Sequence, residues 1–131
     1  MTKIVIPLIP VTKKNSQRII QVHGRPMIIP SQKYKQYEKD CGHFLAHVEP
    51  ILSTCNVQCI YFMPTRRKVD LVNLQEATLD ILVRYGILID DNSDIVVSMD
   101  GSRVFYDKEL PRTEIIITEV QNEKKKKITE Q

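Results

Sequence analysis

Two stretches with the apolar spacing of amphipathic helices, set among short β-strand patterns, constrain the fold of this chain most strongly. In the first, residues 32–48, apolar side chains recur every three or four positions between Ser31, a suitable N-cap, and Pro50. The second spans about residues 70–85, and Gly86 after it is typical of a helix C-terminus. At 131 residues the chain has room for one domain with one core.

Short β-strand patterns flank both predicted helices. We expect a hairpin around His23-Gly24, because glycine tolerates the positive φ of a tight turn. Strands are predicted within residues 3–10, 18–22, 27–29, 57–63, 87–89, 94–99 and 113–120. Strands mixed with two helices and joined by hairpins indicate an α+β fold, a single small domain with a mixed β-sheet over residues 1–120. The lysine-rich residues 121–131 have little to bury and are predicted to be a disordered tail.

Charge is divided unevenly along the chain, although the net charge is only +3. Residues 1–69 carry 11 Lys and Arg against 3 Asp and Glu, whereas residues 70–100 carry 1 against 7. Such asymmetry indicates a partner that is itself charged. No apolar run approaches the ~20 residues that a membrane helix needs, so we expect no membrane partner.

The cysteines raise the question of zinc. Cys41, Cys55 and Cys59 are an odd number and no apolar signal segment precedes them, so we expect a reduced, intracellular setting. His43 and His47 lie nearby in sequence, which makes a zinc-stabilised interaction module an alternative. Neither cysteine pair has the two-residue spacing of a zinc knuckle, and all three fall on apolar faces. Buried free thiols are therefore favoured.

The carboxylates of residues 70–91 can meet in space. A helix rises about 1.5 Å per residue and a strand about 3.3 Å, so a chain that reverses at Gly86 returns Asp91 to the level of Glu76. Glu76 and Asp80 are four residues apart, on one ridge of the predicted helix. An antiparallel return would therefore give one acidic pocket. Its predicted members are Asp70, Glu76, Asp80, Asp90 and Asp91.

Clustered carboxylates repel one another unless a cation lies among them. Mg²⁺ prefers oxygen ligands and bridges to phosphate, so a pocket of this kind beside basic loops suits cleavage of a phosphodiester. The predicted phosphate-binding residues are Lys13, Lys14, Arg66, Arg67, Lys68 and Arg103. The structural alternative makes Asp70 an N-cap, Asp90 and Asp91 turn residues, and the helix carboxylates a solvated face.

The ordered spacing of residues 66–91 resembles the signature of the RusA family of Holliday junction resolvases. That family has a basic loop, then Asp-x-Asp-Asn-x-x-Lys, an Asp four residues on, a Gly and a closing Asp-Asp pair. Residues 6–15 are similar to its opening strand and basic loop, which adds Asn15 to the predicted DNA-binding residues, and Pro111-Arg112 fits its end. The matching signature positions here are Asp70, Asn73, Asp80, Gly86, Asp90 and Asp91.

The resemblance implies a RusA-like fold and a homodimeric endonuclease that needs Mg²⁺ or Mn²⁺ and no nucleotide cofactor. It implies binding of four-way DNA junctions by their shape, and resolution by paired symmetric nicks, in DNA recombination and repair. The implied setting is the bacterial cytoplasm, with a phage or prophage as carrier. Asp70 and Asp91 match metal-binding carboxylates, while Asn73, Asp80 and Asp90 match the remaining catalytic positions.

Two positions depart from the family pattern. Val72 stands where the second metal-binding Asp is expected, and Glu76 where the catalytic Lys is expected. Glu76 lies one helical turn beyond Val72 on the same face, so we predict that it restores the missing carboxylate. The predicted metal ligands are then Asp70, Glu76 and Asp91.

The lost lysine has to be replaced for the predicted chemistry to work. The predicted substitutes are Lys68, Arg67 and Arg103. The alternative interpretation is a catalytically impaired protein that keeps the fold and binds four-way junctions or other branched DNA without cutting them.

Overall fold

A computed structural model describes residues 1–13 and 17–120, with the helices packed on one face of a mixed β-sheet. The strands are β1 (Thr2–Ile6), β2 (Gln17–Val22), β3 (Arg25–Pro30), β4 (Cys55–Met63), β5 (Val96–Ser98), β6 (Arg103–Tyr106) and β7 (Arg112–Glu119). The helices are α1 (Gln32–Leu45) and α2 (Leu71–Arg84). The predicted α+β class, a single small domain with two helices, is confirmed.

The main sheet is built around β4, its longest strand. Its order is β1-β7-β4-β5, and β6 pairs with β4 further along the same edge as β5. β7 runs antiparallel to both β1 and β4, whereas β5 and β6 run parallel to β4. β2 and β3 form a separate two-stranded sheet. The parallel pairs become possible because α2 crosses between β4 and β5.

Burial alternates along the central strands and defines the two faces of the sheet. Val57, Cys59 and Tyr61 of β4 are buried against the helices, whereas the residues between them are half-buried on the opposite face. Leu74 and Leu82 of α2 are at most 1% exposed in the same core. Burying an aliphatic side chain of this size contributes about 1.5–3 kcal/mol, so these contacts hold α2 on the sheet.

Both helices form where their apolar spacing predicts them. Ser31 caps α1 by accepting a hydrogen bond from the backbone N–H of Tyr34 at 3.3 Å. Helix α1 ends at Leu45 rather than residue 48, and Phe44, one of the apolar residues at the helical spacing, is 39% exposed. Helix α2 ends as predicted, because Gly86 takes a positive φ of 75° that suits a helix terminus.

The predicted strands agree with the structure except at two places. The hairpin turns at His23 and Gly24, which have φ values of 51° and 76°. Residues 87–89 are not a strand, since Leu88 forms only an isolated parallel bridge with Ile51. Strand β6 was not predicted, because all four of its residues are exposed and give no alternation. The predicted tail, residues 121–131, lies outside the described residues.

The three thiols lie in the core, which agrees with the prediction of buried free thiols rather than a zinc site. Cys41, Cys55 and Cys59 are free and have 0% exposure. Burial raises the pKa of Cys41 and of Cys59 to about 11, so both stay protonated near neutral pH and are poor zinc ligands. His43 and His47 are exposed. Over residues 1–13 and 17–120 no helix has the length and apolar character to cross a membrane.

Candidate active site and nucleic-acid interface

The start of α2 fixes Asp70 at the end of the basic loop. Asp70 is exposed, and its Oδ1 accepts a hydrogen bond from the backbone N–H of Val72 at 3.1 Å. The predicted N-cap role of Asp70 is therefore present in the fold. Val72 is 63% exposed, so the core does not require an apolar residue there. Asn73 is half-buried in the first turn of α2, and Glu76 is exposed one turn later.

Asp90 and Asp91 form a tight acidic corner after α2. The backbone N–H of Asp91 donates to Asp90 Oδ1 at 2.7 Å, and the Asn92 side chain donates to Asp90 Oδ2 at 3.1 Å. Asp90 is thus held as a turn residue through both carboxylate oxygens.

The pKa of Asp91 is raised above the ordinary value for aspartate. Partial desolvation is the largest cause, followed by the hydrogen bond with the Asp90 side chain and then by the negative charges of Asp90 and Asp80. Asp80 belongs to α2, ten positions before Asp90. The chain reversal after Gly86 therefore brings Asp91 within electrostatic reach of an α2 carboxylate.

Lys13 supplies a positive charge beside Asp80. Its Nζ lies 3.4 Å from Asp80 Oδ2, and both side chains are about one-third exposed, at 38% and 33%. The same ammonium lies 6.0 Å from the ring centroid of Tyr34, a side chain that is 2% exposed. From the sequence, Lys13 was predicted only to bind phosphate, whereas the structure also places it beside Asp80.

The described residues do not assemble a complete metal centre. Within residues 1–13 and 17–120, no three His, Cys, Asp or Glu side chains are grouped so that they could hold an ion. The donor chemistry of Asp80 and Asp91 still suits Mg²⁺, which is often held by one or two carboxylates together with waters and phosphate oxygens. Desolvation is the main cause of the raised pKa of Asp91, and a cation would relieve the smaller contribution that comes from the negative charges of Asp90 and Asp80. The ligand set of Asp70, Glu76 and Asp91 stays a prediction.

A cationic cleft of about 470 Å³ lies beside the start of α2. Arg67 and Lys68, both predicted DNA-binding residues, line it together with Lys33 from the first turn of α1. Lys33 was not predicted, because nothing in the local sequence brings α1 next to the loop before α2. The remaining lining residues are Ile9, Pro10, Val11, Thr12, Met63, Pro64, Thr65 and Val69.

A second cleft of about 370 Å³ adjoins the first and contains Arg66. The Arg66 guanidinium lies 4.2 Å from the ring centroid of Tyr106, at the end of β6. Arg103 lies at the other end of this exposed strand, in register with Ile60. The structure therefore separates Arg103 from the loop arginines along β6. Lys14 and Asn15 lie outside the described residues.

A family profile described as Endodeoxyribonuclease RusA matches residues 7–118 of the chain. The chain belongs to the RusA family. The match includes every predicted site residue and all of β4, α2 and the acidic corner. RusA proteins are endodeoxyribonucleases that bind and resolve Holliday junctions, so family membership indicates this activity. No curated protein matches this RusA family member.

Proposed function

We propose that the chain is a metal-dependent resolvase that cuts four-way DNA junctions by paired symmetric nicks, one in each subunit of a homodimer. The observation that carries the proposal is the Lys13–Asp80 ion pair beside a cationic cleft, with Asp91 within electrostatic reach of Asp80, in a chain of the RusA family. A Holliday junction has two opposed strands to cut. Two copies of one active site, related by two-fold symmetry, match that requirement.

Asp91 and Asp80 would hold Mg²⁺ or Mn²⁺, with Asp70 and Glu76 as further predicted ligands. When bound, the ion supplies Lewis-acid stabilisation of the phosphate under attack. Asp90 positions Asp91 through the hydrogen bond from the Asp91 backbone. Asn73 and Asp80 match catalytic positions of the family signature, and they lie on either side of Glu76 along α2.

Lys13 would replace the catalytic lysine that is missing at position 76, a role predicted from the sequence for Lys68, Arg67 or Arg103. The ammonium lies 3.4 Å from Asp80 and 6.0 Å from the ring centroid of Tyr34, so the charge is held beside Asp80. A fixed cation stabilises the negative charge that develops during phosphodiester cleavage. Lys68 and Arg67 line the cleft instead, where they suit contacts with the phosphates on either side of the cut.

The decisive experiment uses a synthetic four-way junction with each strand labelled in turn. Incubation with the protein and Mg²⁺ or Mn²⁺ should give nicks at symmetric positions in two opposed strands, and a parallel reaction in EDTA should give none. Size-exclusion chromatography with light scattering should give a dimer. Nicks in one strand only, or cleavage that persists in EDTA, would contradict the proposal.

An impaired junction-binding protein is the second candidate. The exposed Val72 at a family carboxylate position favours it, as does the lack of three grouped ligands among the described residues. The same assay separates the two candidates. A junction that is retarded on a native gel but remains intact with either metal would establish binding without cleavage.

Asp70 allows its structural and chemical roles to be separated. Asp70→Ala should lower the free energy of unfolding by about 1 kcal/mol, because the N-cap hydrogen bond to Val72 is lost. Asp70→Asn keeps a capping oxygen and should change stability by less than about 0.5 kcal/mol. Urea unfolding measures both effects. Junction cleavage should fall in both variants, and normal cleavage by Asp70→Asn would exclude Asp70 as a metal ligand.

The cationic cleft makes a prediction about salt. In an Arg67→Gln, Lys68→Gln double variant, two phosphate contacts should be lost, and the slope of log affinity against log salt should become less steep by about 2. Fluorescence anisotropy on a junction at several salt concentrations measures the slope. Lys39→Gln, on the exposed surface of α1, is the matched control. An unchanged slope in the double variant would exclude the cleft from DNA binding.

A further inference from the structure

Strand β6 exposes apolar side chains beside the cationic clefts. Val104, Phe105 and Tyr106 are 37%, 47% and 41% exposed, although β6 pairs with the central strand β4. Phe105 stacks on Phe62 of β4 with ring centroids 5.6 Å apart, so it belongs to the packing of the sheet. Tyr106 lies at the end of the strand and lines the second cleft.

Arg66 and Tyr106 form a flat, layered unit. The Arg66 guanidinium is 4.2 Å from the centroid of the Tyr106 ring, within the range of a cation–π contact. A guanidinium is planar and weakly hydrated, so it can stack on an aromatic ring and on a second flat group. The contact with the tyrosine ring thereby restricts the Arg66 side chain to fewer conformations than an exposed arginine usually has.

This unit is continuous with the cleft beside the candidate active site. Met63, Thr65 and Arg67 line both clefts. Among the described residues, no Asp or Glu lines either cleft, while Arg66 and Arg67 do. The cationic lining therefore favours an anionic occupant, and the flat surface of Arg66 and Tyr106 favours one with a planar group that can stack. A nucleotide has both.

We propose that Tyr106 and Arg66 form a stacking platform for an unpaired base of branched DNA, next to the cleft that takes the neighbouring phosphates. This inference rests on the proposed function and adds the part of the DNA that the protein reads. Bases within a duplex are already stacked on both sides. Bases at a branch point can leave the stack, and an aromatic or guanidinium surface then replaces their lost neighbour.

A second copy of the chain is a less suitable occupant. Two copies meeting through this surface around a two-fold axis would bring Arg66 and Arg67 of one copy near the same residues of the other. Like charges placed together at an interface oppose association. DNA gains from the same charges, because each cation displaces a condensed counterion from the phosphates.

The test compares binding and base stacking in matched variants. The probes are a short oligothymidylate and a four-way junction with 2-aminopurine at the branch point. Tyr106→Ala should weaken oligothymidylate binding about fivefold to a hundredfold and abolish the quenching of 2-aminopurine by the protein. Tyr106→Phe should behave as the wild type. Phe44→Ala, which removes an exposed ring from α1, is the control and should change neither readout.

Arg66→Lys separates stacking from charge. Lysine keeps the positive charge but has no planar group, so the variant should lose quenching and affinity while its salt dependence stays unchanged. Wild-type binding and quenching by Tyr106→Ala would overturn the platform. So would a change in oligomeric state as the only effect of that substitution. A protein that never cuts junctions would refute the proposed function, while the oligothymidylate experiment would still decide the platform.

Discussion

Asp91→Asn is expected to lower junction cleavage by at least about 100-fold while changing junction affinity by no more than about twofold. The substitution keeps the size of the side chain and one acceptor oxygen but removes the negative charge that a divalent ion needs. Single-turnover cleavage and anisotropy on the same labelled junction measure the two quantities. Asp100→Asn, at an exposed position after β5, is the matched control. Cleavage at the wild-type rate would remove Asp91 from the site.

The raised pKa of Asp91 adds an effect on stability. Because folding raises this pKa, the ionised carboxylate disfavours the folded state at neutral pH, and the penalty disappears as the pH falls through the raised pKa. Asp91→Asn should therefore raise the melting temperature at pH 7 and have less effect in acid. Mg²⁺ should raise the melting temperature of the wild type and not of the variant. On acidification, cleavage should be lost at a higher pH than it would be if Asp91 had the ordinary pKa of an aspartate.

Lys13→Gln is expected to lower cleavage by about 100-fold, which is the cost of losing one fixed group that stabilises developing charge. The reason is the placement of its ammonium at Asp80, a signature position of the family on α2. Single-turnover kinetics at saturating protein separate this loss from weaker binding. Lys13→Arg should recover part of the rate, because it restores a positive charge at Asp80.

Lys68→Gln is the matched comparison for Lys13. Both substitutions remove one positive charge near the DNA, so both should reduce the salt slope by about 1. Only Lys13→Gln should lower the rate once the junction is saturated. If Lys68→Gln reduced that rate as much, the sequence-based choice of Lys68 as the substitute cation would be preferred.

Much of the fold follows from local patterns in the sequence. The spacing of apolar residues, an N-cap at Asp70 and a glycine at position 86 are all local, so α2 could be predicted almost to its ends. Strand β6 could not, because its residues are stabilised by pairing with β4, which is about forty positions earlier. Residues 87–89 are apolar enough for a strand, but Ile87 and Leu88 hydrogen-bond to the end of α2 instead.

The candidate site was predictable only where it depends on local sequence patterns. Carboxylate spacing and the reversal after Gly86 indicated that Asp91 returns toward α2, and the charge of Asp80 does act on it. The position of Lys13 depends on how the loop after β1 packs against α2, which no local pattern encodes. The contact between Arg66 and Tyr106 joins residues forty positions apart. Both contacts arise from the tertiary fold.

The burial of every cysteine has a practical consequence for the study of this molecule. All three thiols are inside the core, so a thiol reagent reaches them only when the sheet and helices separate. Their labelling rate therefore reports the opening of the whole domain. A cysteine introduced on the surface would be the single fast-reacting position, which allows one dye or crosslinker per chain to follow how arms of a junction move against the protein.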